Sequence, residues 1–119
     1  MRRGDIVIAR ERGEFTGKAR PFLVVQSDAM LDDAEIITVC PITSHLTHAD
    51  LIRVAIRPDV DTGLKKDSEV EVDLISAIRT SRIAEVVGRI PDEWLAKVDA
   101  ALRRWLLCSR ALTSVVSLA

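Results

Sequence analysis

At 119 residues, 48% hydrophobic and 29% charged, the chain has the length and balance of one globular domain with a single core, not of a disordered segment. A net charge of −1 argues against a generic nucleic-acid magnet, and 3% aromatics with no tyrosine argues against a base-stacking platform. Two cysteines, Cys40 and Cys108, with no Cys-x-x-Cys, make no disulfide framework; no apolar run is long enough to cross a bilayer.

Met1-Arg2-Arg3 leads into Gly4-Asp5 without an apolar leader, which predicts a cytoplasmic protein with no membrane contact. The β-branched density of residues 4–9 predicts a first strand. Residues 10–19 are charged and broken by Gly13 and Gly17, the pattern of an exposed loop. Residues 1–20 carry six basic side chains against three acidic ones, while residues 21–49 carry four acids and no Lys or Arg, so a polyanion is expected to meet the N-terminal segment.

Residues 20–26 predict a second strand. Pro21 has no N–H for a ladder and belongs at a strand's first position or edge, and it biases Arg20 toward extended backbone. A short helical turn over 27–33, capped by Ser27 or Asp28, leads to a third strand over 35–40 that Pro41 ends. Cys40 within it reads as a small buried hydrophobe. A fourth strand is expected over 51–56, with polar Arg53 between apolar neighbours, then a turn over 58–66. Over 68–74, Glu69, Glu71 and Asp73 alternate with Val70, Val72 and Leu74, and residues 82–90 supply a further strand.

The period then changes. Pro91 followed by Asp92 and Glu93 marks a helix start, and Leu95, Val98, Leu102 and Trp105 recur at helical spacing, so a helix is expected over 91–107. Trp94 and Trp105 read as core or interface. The fold class is mainly β with a C-terminal α-helix: a small twisted barrel over about 3–90, the helix, and an apolar tail over 108–119, in one domain.

Candidate chemistry sits at two strand ends. Arg20, held at the mouth of a core strand, is a fixed positive charge of the kind an anionic transition state needs; its bland alternative is a surface ion pair. Thr43 and Ser44, just past Pro41, can donate hydrogen bonds to a phosphate oxygen or cap a turn. His45 reads as a general acid or base, or as a plain loop histidine. His45 and His48 are joined by no Cys or carboxylate at metal-ligand spacing, so no metal site and no cofactor is expected.

Arg3-Gly4-Asp5-Ile6, Lys18-Ala19-Arg20-Pro21 leading into Leu23-Val24-Val25-Gln26-Ser27, and Val39-Cys40-Pro41-Ile42-Thr43-Ser44 together resemble the MazF/PemK family of toxins from toxin–antitoxin pairs. Thr62-Gly63-Leu64-Lys65-Lys66-Asp67-Ser68, Val72-Asp73, Ser81-Arg82-Ile83 and Val87-Gly88-Arg89-Ile90 extend the likeness in order, over residues 2 to about 107. The resemblance implies an SH3-like barrel working as a homodimer that binds single-stranded RNA and cleaves it at short sequences without metal, restrained by a cognate antitoxin. It implies Arg20 and Thr43 as catalytic residues. Lys18, Ser44, His45, Asp73 and Arg12 are the further supporting or substrate-binding candidates. The 10–19 loop is the expected gate for RNA or antitoxin.

The chain departs from the family pattern in places. Asp73-Leu74 stands where many members have an acid followed by glutamine, and Glu71 where some have arginine, so Asp73 reads equally as a base or as a solvated strand carboxylate. Val7 and Ile8 replace first-strand aromatics, and the tail beyond Leu107 has no family counterpart. Two other readings share the fold: a CcdB-like toxin that binds gyrase through a C-terminal tryptophan, for which Trp105 is the candidate, and an SH3-like module that binds without catalysis.

Overall fold

The computed structural model describes residues 1–10 and 18–107. Most of the expected 10–19 loop, with Arg12, lies outside the described residues, as does the tail 108–119. Among the described residues, seven strands and one helix follow in order: β1 (Asp5–Arg10), β2 (Ala19–Val24), β3 (Ile36–Thr43), β4 (Arg53–Ile56), β5 (Ser68–Glu71), β6 (Ser76–Arg79), β7 (Ile83–Arg89) and α1 (Asp92–Leu106). The ladders are antiparallel, in the order β4-β5-β3-β2-β1-β7, with β6 also paired to β3.

β3 organises the sheet. One edge pairs with β2. The other holds β6 along residues Ile36 to Val39 and β5 at Ile42 and Thr43. A 3-10 turn, Val72–Leu74, carries the chain round the corner between β5 and β6. The sheet therefore bends over itself into a barrel-like shape, with no ladder joining β4 to β7 among the described residues.

Three expectations shift. Pro41 does not end its strand: it falls at the junction where this edge of β3 passes from β6 to β5, so its missing N–H lies where the ladder is already interrupted. The fifth strand stops at Glu71, because Val72–Leu74 turns. β6 was not expected. Its four residues are too few for alternation to be legible, and it exists because β3 offers it an open edge.

The central strands are buried on both faces, which explains their nearly unbroken apolar runs. Ile6, Leu23, Cys40 and Ile42 share one core with Val54, Val70, Ile90 and the helix residues Val98 and Ala101. Val7, Ala9, Phe22, Val24, Ile37 and Val39 form a second core on the opposite face, closed by Leu31. Pro91 caps α1, its carbonyl accepting from the amides of Trp94 and Leu95. Arg3 ties the helix to the sheet: its guanidinium pairs with Asp99 and donates to the Val25 carbonyl. Gly88 lets β7 press on the 57–64 turn, since a Cβ there would lie 2.3 Å from the Thr62 backbone. Trp105, expected on the apolar stripe, is 47% exposed at the helix end.

Candidate active site

β2 and β3 pair Phe22 with Pro41, Leu23 with Cys40 and Val24 with Val39. That ladder ends at Phe22 and Pro41, and Arg20 and Thr43 lie two residues beyond it along their strands, at the same end. Side chains alternate along a strand, so Arg20 shares its face with Phe22, and Thr43 with Pro41. Phe22, Val24 and Val39 belong to the core away from the helix, so Arg20 and Thr43 stand at the edge of that core, on one face.

The ladder continues the row. Thr43 pairs with Glu69 on β5, and Glu69 with Ala55 on β4. One step along, Glu71 pairs with Arg53. Arg53 is the hub of a compact ion cluster. Its Nε donates to Asp73 Oδ1 at 2.7 Å and its Nη2 to Oδ2 at 3.1 Å, while Nη1 lies 3.2 Å from Glu71 Oε2. The Arg53 hydrogen bonds hold the Asp73 carboxyl below the usual Asp range. Burial raises the Glu71 carboxyl above the usual Glu range, although Arg53 and, more weakly, Arg20 pull the other way.

Glu69 serves the loop after β3. It is 3% exposed. Its Oε1 accepts from the Thr47 amide and hydroxyl, both at 3.0 Å, and its Oε2 from the His48 amide at 2.9 Å. Burial alone would raise this carboxyl, but the three hydrogen bonds outweigh it and hold it low. The loop is thereby clamped directly after Thr43. Thr43 Oγ1 in turn accepts from the His45 amide at 3.1 Å, which fixes the hydroxyl's orientation and leaves its O–H to donate elsewhere. Beside this row, a groove of about 580 Å³ has Phe22, Pro41 and Ile78 in its lining and Arg10, Arg79 and Arg82 among its basic residues.

A family model described as PemK-like, MazF-like toxin of type II toxin–antitoxin system matches residues 2–106. The chain belongs to this family. Among its relatives, a probable endoribonuclease MazF of Mycolicibacterium smegmatis is 39% identical over 102 residues, covering 86% of this chain and 93% of that protein. Endoribonuclease EndoA of Bacillus subtilis is 28% identical, covering 87% and 91%. The Mycobacterium tuberculosis toxin MazF-mt6 superimposes with a TM-score of 0.73 at 23% identity, over 85% of this chain and 94% of that one. A Deinococcus radiodurans MazE–MazF structure gives 0.73 at 23%, over 89% and 95%. At these identities the structural likeness speaks for the fold.

In this MazF-like toxin the other sequence candidates scatter. Lys18 is exposed just before β2. Ser44 and His45 are exposed at the end of β3 and the start of the clamped loop. Asp73 lies on the 3-10 turn, not on a strand, with both oxygens held by Arg53. Arg12 falls outside the described residues. Sequence reading missed Arg53, Glu69 and Glu71 as parts of the site. Their signals were present, a polar residue inside strand four and three acids on one face of strand five, but which cation would meet which acid depends on the β4–β5 register. Among the described residues no helix is long and apolar enough to cross a membrane.

Proposed function

We propose that the chain is a sequence-specific, metal-independent endoribonuclease toxin. It acts in the cytoplasm as a homodimer on single-stranded RNA and is restrained by a cognate antitoxin. Family membership supports the class of activity, as do relatives named endoribonucleases and a structural neighbour described as an endoribonuclease in complex with its cognate antitoxin. The observation that supports the chemistry is the β2–β3 ladder, whose last pair, Phe22 with Pro41, leaves Arg20 and Thr43 two residues beyond it at the same end.

RNA supplies its own nucleophile, the 2′-hydroxyl. The protein must steady the charge that builds on the phosphate as O2′ attacks and the P–O5′ bond breaks. A guanidinium binds two non-bridging oxygens as a fork, and a threonine hydroxyl adds a third donor. The products are a 2′,3′-cyclic phosphate and a 5′-hydroxyl end. Incubating the purified protein with RNA in EDTA and mapping 5′-hydroxyl ends tests this reading. Cleavage is expected, falling on the order of a hundredfold or more in Arg20→Ala at unchanged fold. Full activity of that variant, or loss of cleavage on chelation, would overturn the reading. Intact bound RNA would instead favour a non-catalytic module, and stalled gyrase without cleavage a gyrase poison.

A further inference from the structure

Arg20 and Thr43 stabilise charge, but neither is an evident acceptor for the 2′-hydroxyl proton. We propose that Glu71 is that acceptor, the general base of the reaction; the inference rests on the RNA-cleaving reading above. Among the described residues, three carboxylates stand near Arg20 and Thr43. Glu69 is buried, with both oxygens committed to Thr47 and His48. Asp73 has both oxygens on the Arg53 guanidinium. Glu71 meets the same guanidinium end-on through Oε2 at 3.2 Å.

The ladder also puts Glu71 in a useful place. Thr43 pairs with Glu69, so Glu71 is Thr43's diagonal neighbour on the same face, about 7–8 Å away between backbones, which side chains of this length span. Arg20 flanks Thr43 from the β2 side and Glu71 from the β5 side. A phosphate held over Thr43 therefore has the guanidinium on one flank and the carboxylate on the other. In-line displacement asks for this separation, because the attacking O2′ and the departing O5′ lie on opposite sides of phosphorus. Glu71 takes the proton as O2′ bonds to phosphorus and P–O5′ breaks. The leaving oxygen accepts a proton from solvent on the Arg20 side, and Glu71 returns its own to solvent.

The charged groups acting on Glu71 are Arg53 from β4, Asp73 from the turn after β5, Glu69 on its own strand and Arg20 from β2. Burial, the largest influence, raises its carboxyl, so the acid limb of the rate profile belongs above that of an ordinary glutamate.

The test is a set of pH–rate profiles in EDTA for wild type, Glu71→Gln and Glu71→Asp, on RNA and on RNA with sulfur at the scissile 5′ bridge. Glu71→Gln is expected to lower kcat by roughly a hundredfold or more, with KM within about threefold, and to flatten the acid limb. Its defect is expected to persist on the sulfur substrate, whose leaving group needs no proton. Glu71→Asp keeps a displaced limb at reduced rate. A retained acid limb in Glu71→Gln, a limb lost instead in His45→Gln, rescue by the sulfur substrate, or a rise in KM alone would overturn the assignment. Should Glu71→Gln fail to fold, identical limbs in wild type and Glu71→Asp would overturn it, and a displaced limb would support it. A wild type that leaves RNA intact refutes the nuclease reading itself, whereas an active wild type with an unchanged Glu71→Gln profile refutes only Glu71.

Discussion

The two faces of β3 have opposite characters. On the helix side, Cys40 and Ile42 sit in an apolar core that runs from β4 to α1. On the other side the core under Val39 and Phe22 gives way, four residues on along β3 and two back along β2, to Thr43 and Arg20 and the charged row beyond them. A strand buried on both faces for most of its length holds its last residue still without burying it. The lesson is that rigidity at the candidate site comes from the packed part of the same strands, while its chemistry comes from their ends. Stability and activity should therefore be separable by face.

The largest effect expected on that separation is Leu23→Ala. Leu23 is fully buried on the helix side, and the truncation should cost about 2–5 kcal/mol in urea melts. The rate per folded molecule should hold at a temperature where the variant remains folded; a parallel loss of rate would show that the two faces are not independent. Thr43→Val, which keeps the shape and removes the hydroxyl, should do the reverse. RNA cleavage is expected to fall on the order of a hundredfold or more, with a melting temperature close to wild type.

Glu69→Gln probes the boundary. The folded carboxyl is held below its ordinary value of 4.5, so its stabilisation is complete above that value and lost as pH falls through the lower folded value. The variant should be less stable than wild type by about 1–2 kcal/mol at pH 7, and the gap should close at acid pH in paired thermal melts. A gap that persists at acid pH would mean that the clamp depends on shape, not charge. Smallest is Asp99→Asn, which removes the partner of Arg3 at a half-exposed ion pair. A loss of about 0.2–1 kcal/mol, shrinking with added salt, is expected by chemical denaturation.

Much of this molecule was legible in the chain because local physics dictated it. Pro91 with Asp92 and Glu93 started the helix within one residue of its position, and the β-branched runs became β1, β2 and most of β3. The misreadings share one cause. Pro41 reads locally as a stop, residues 72–74 read as strand, and β6 leaves no signal of its own, because each depends on what lies beside β3 and not on its own residues. The candidate site divides the same way: Arg20 and Thr43 are legible as candidates from their strand-end positions, while Glu71 and Arg53 read as unremarkable surface charges.

What the amino-acid sequence determined by itself was the set of elements, their hydrophobic faces and the chemical kinds available at their ends. Only the tertiary structure decided that Arg20 and Thr43 leave the β2–β3 ladder at the same end, that Asp73 is tied up by Arg53, and that Glu71 pairs with Arg53 one step along from Thr43's partner Glu69. Pairing register is set by contacts between residues far apart in the chain, and a slip of one residue would turn every one of these side chains to the other face.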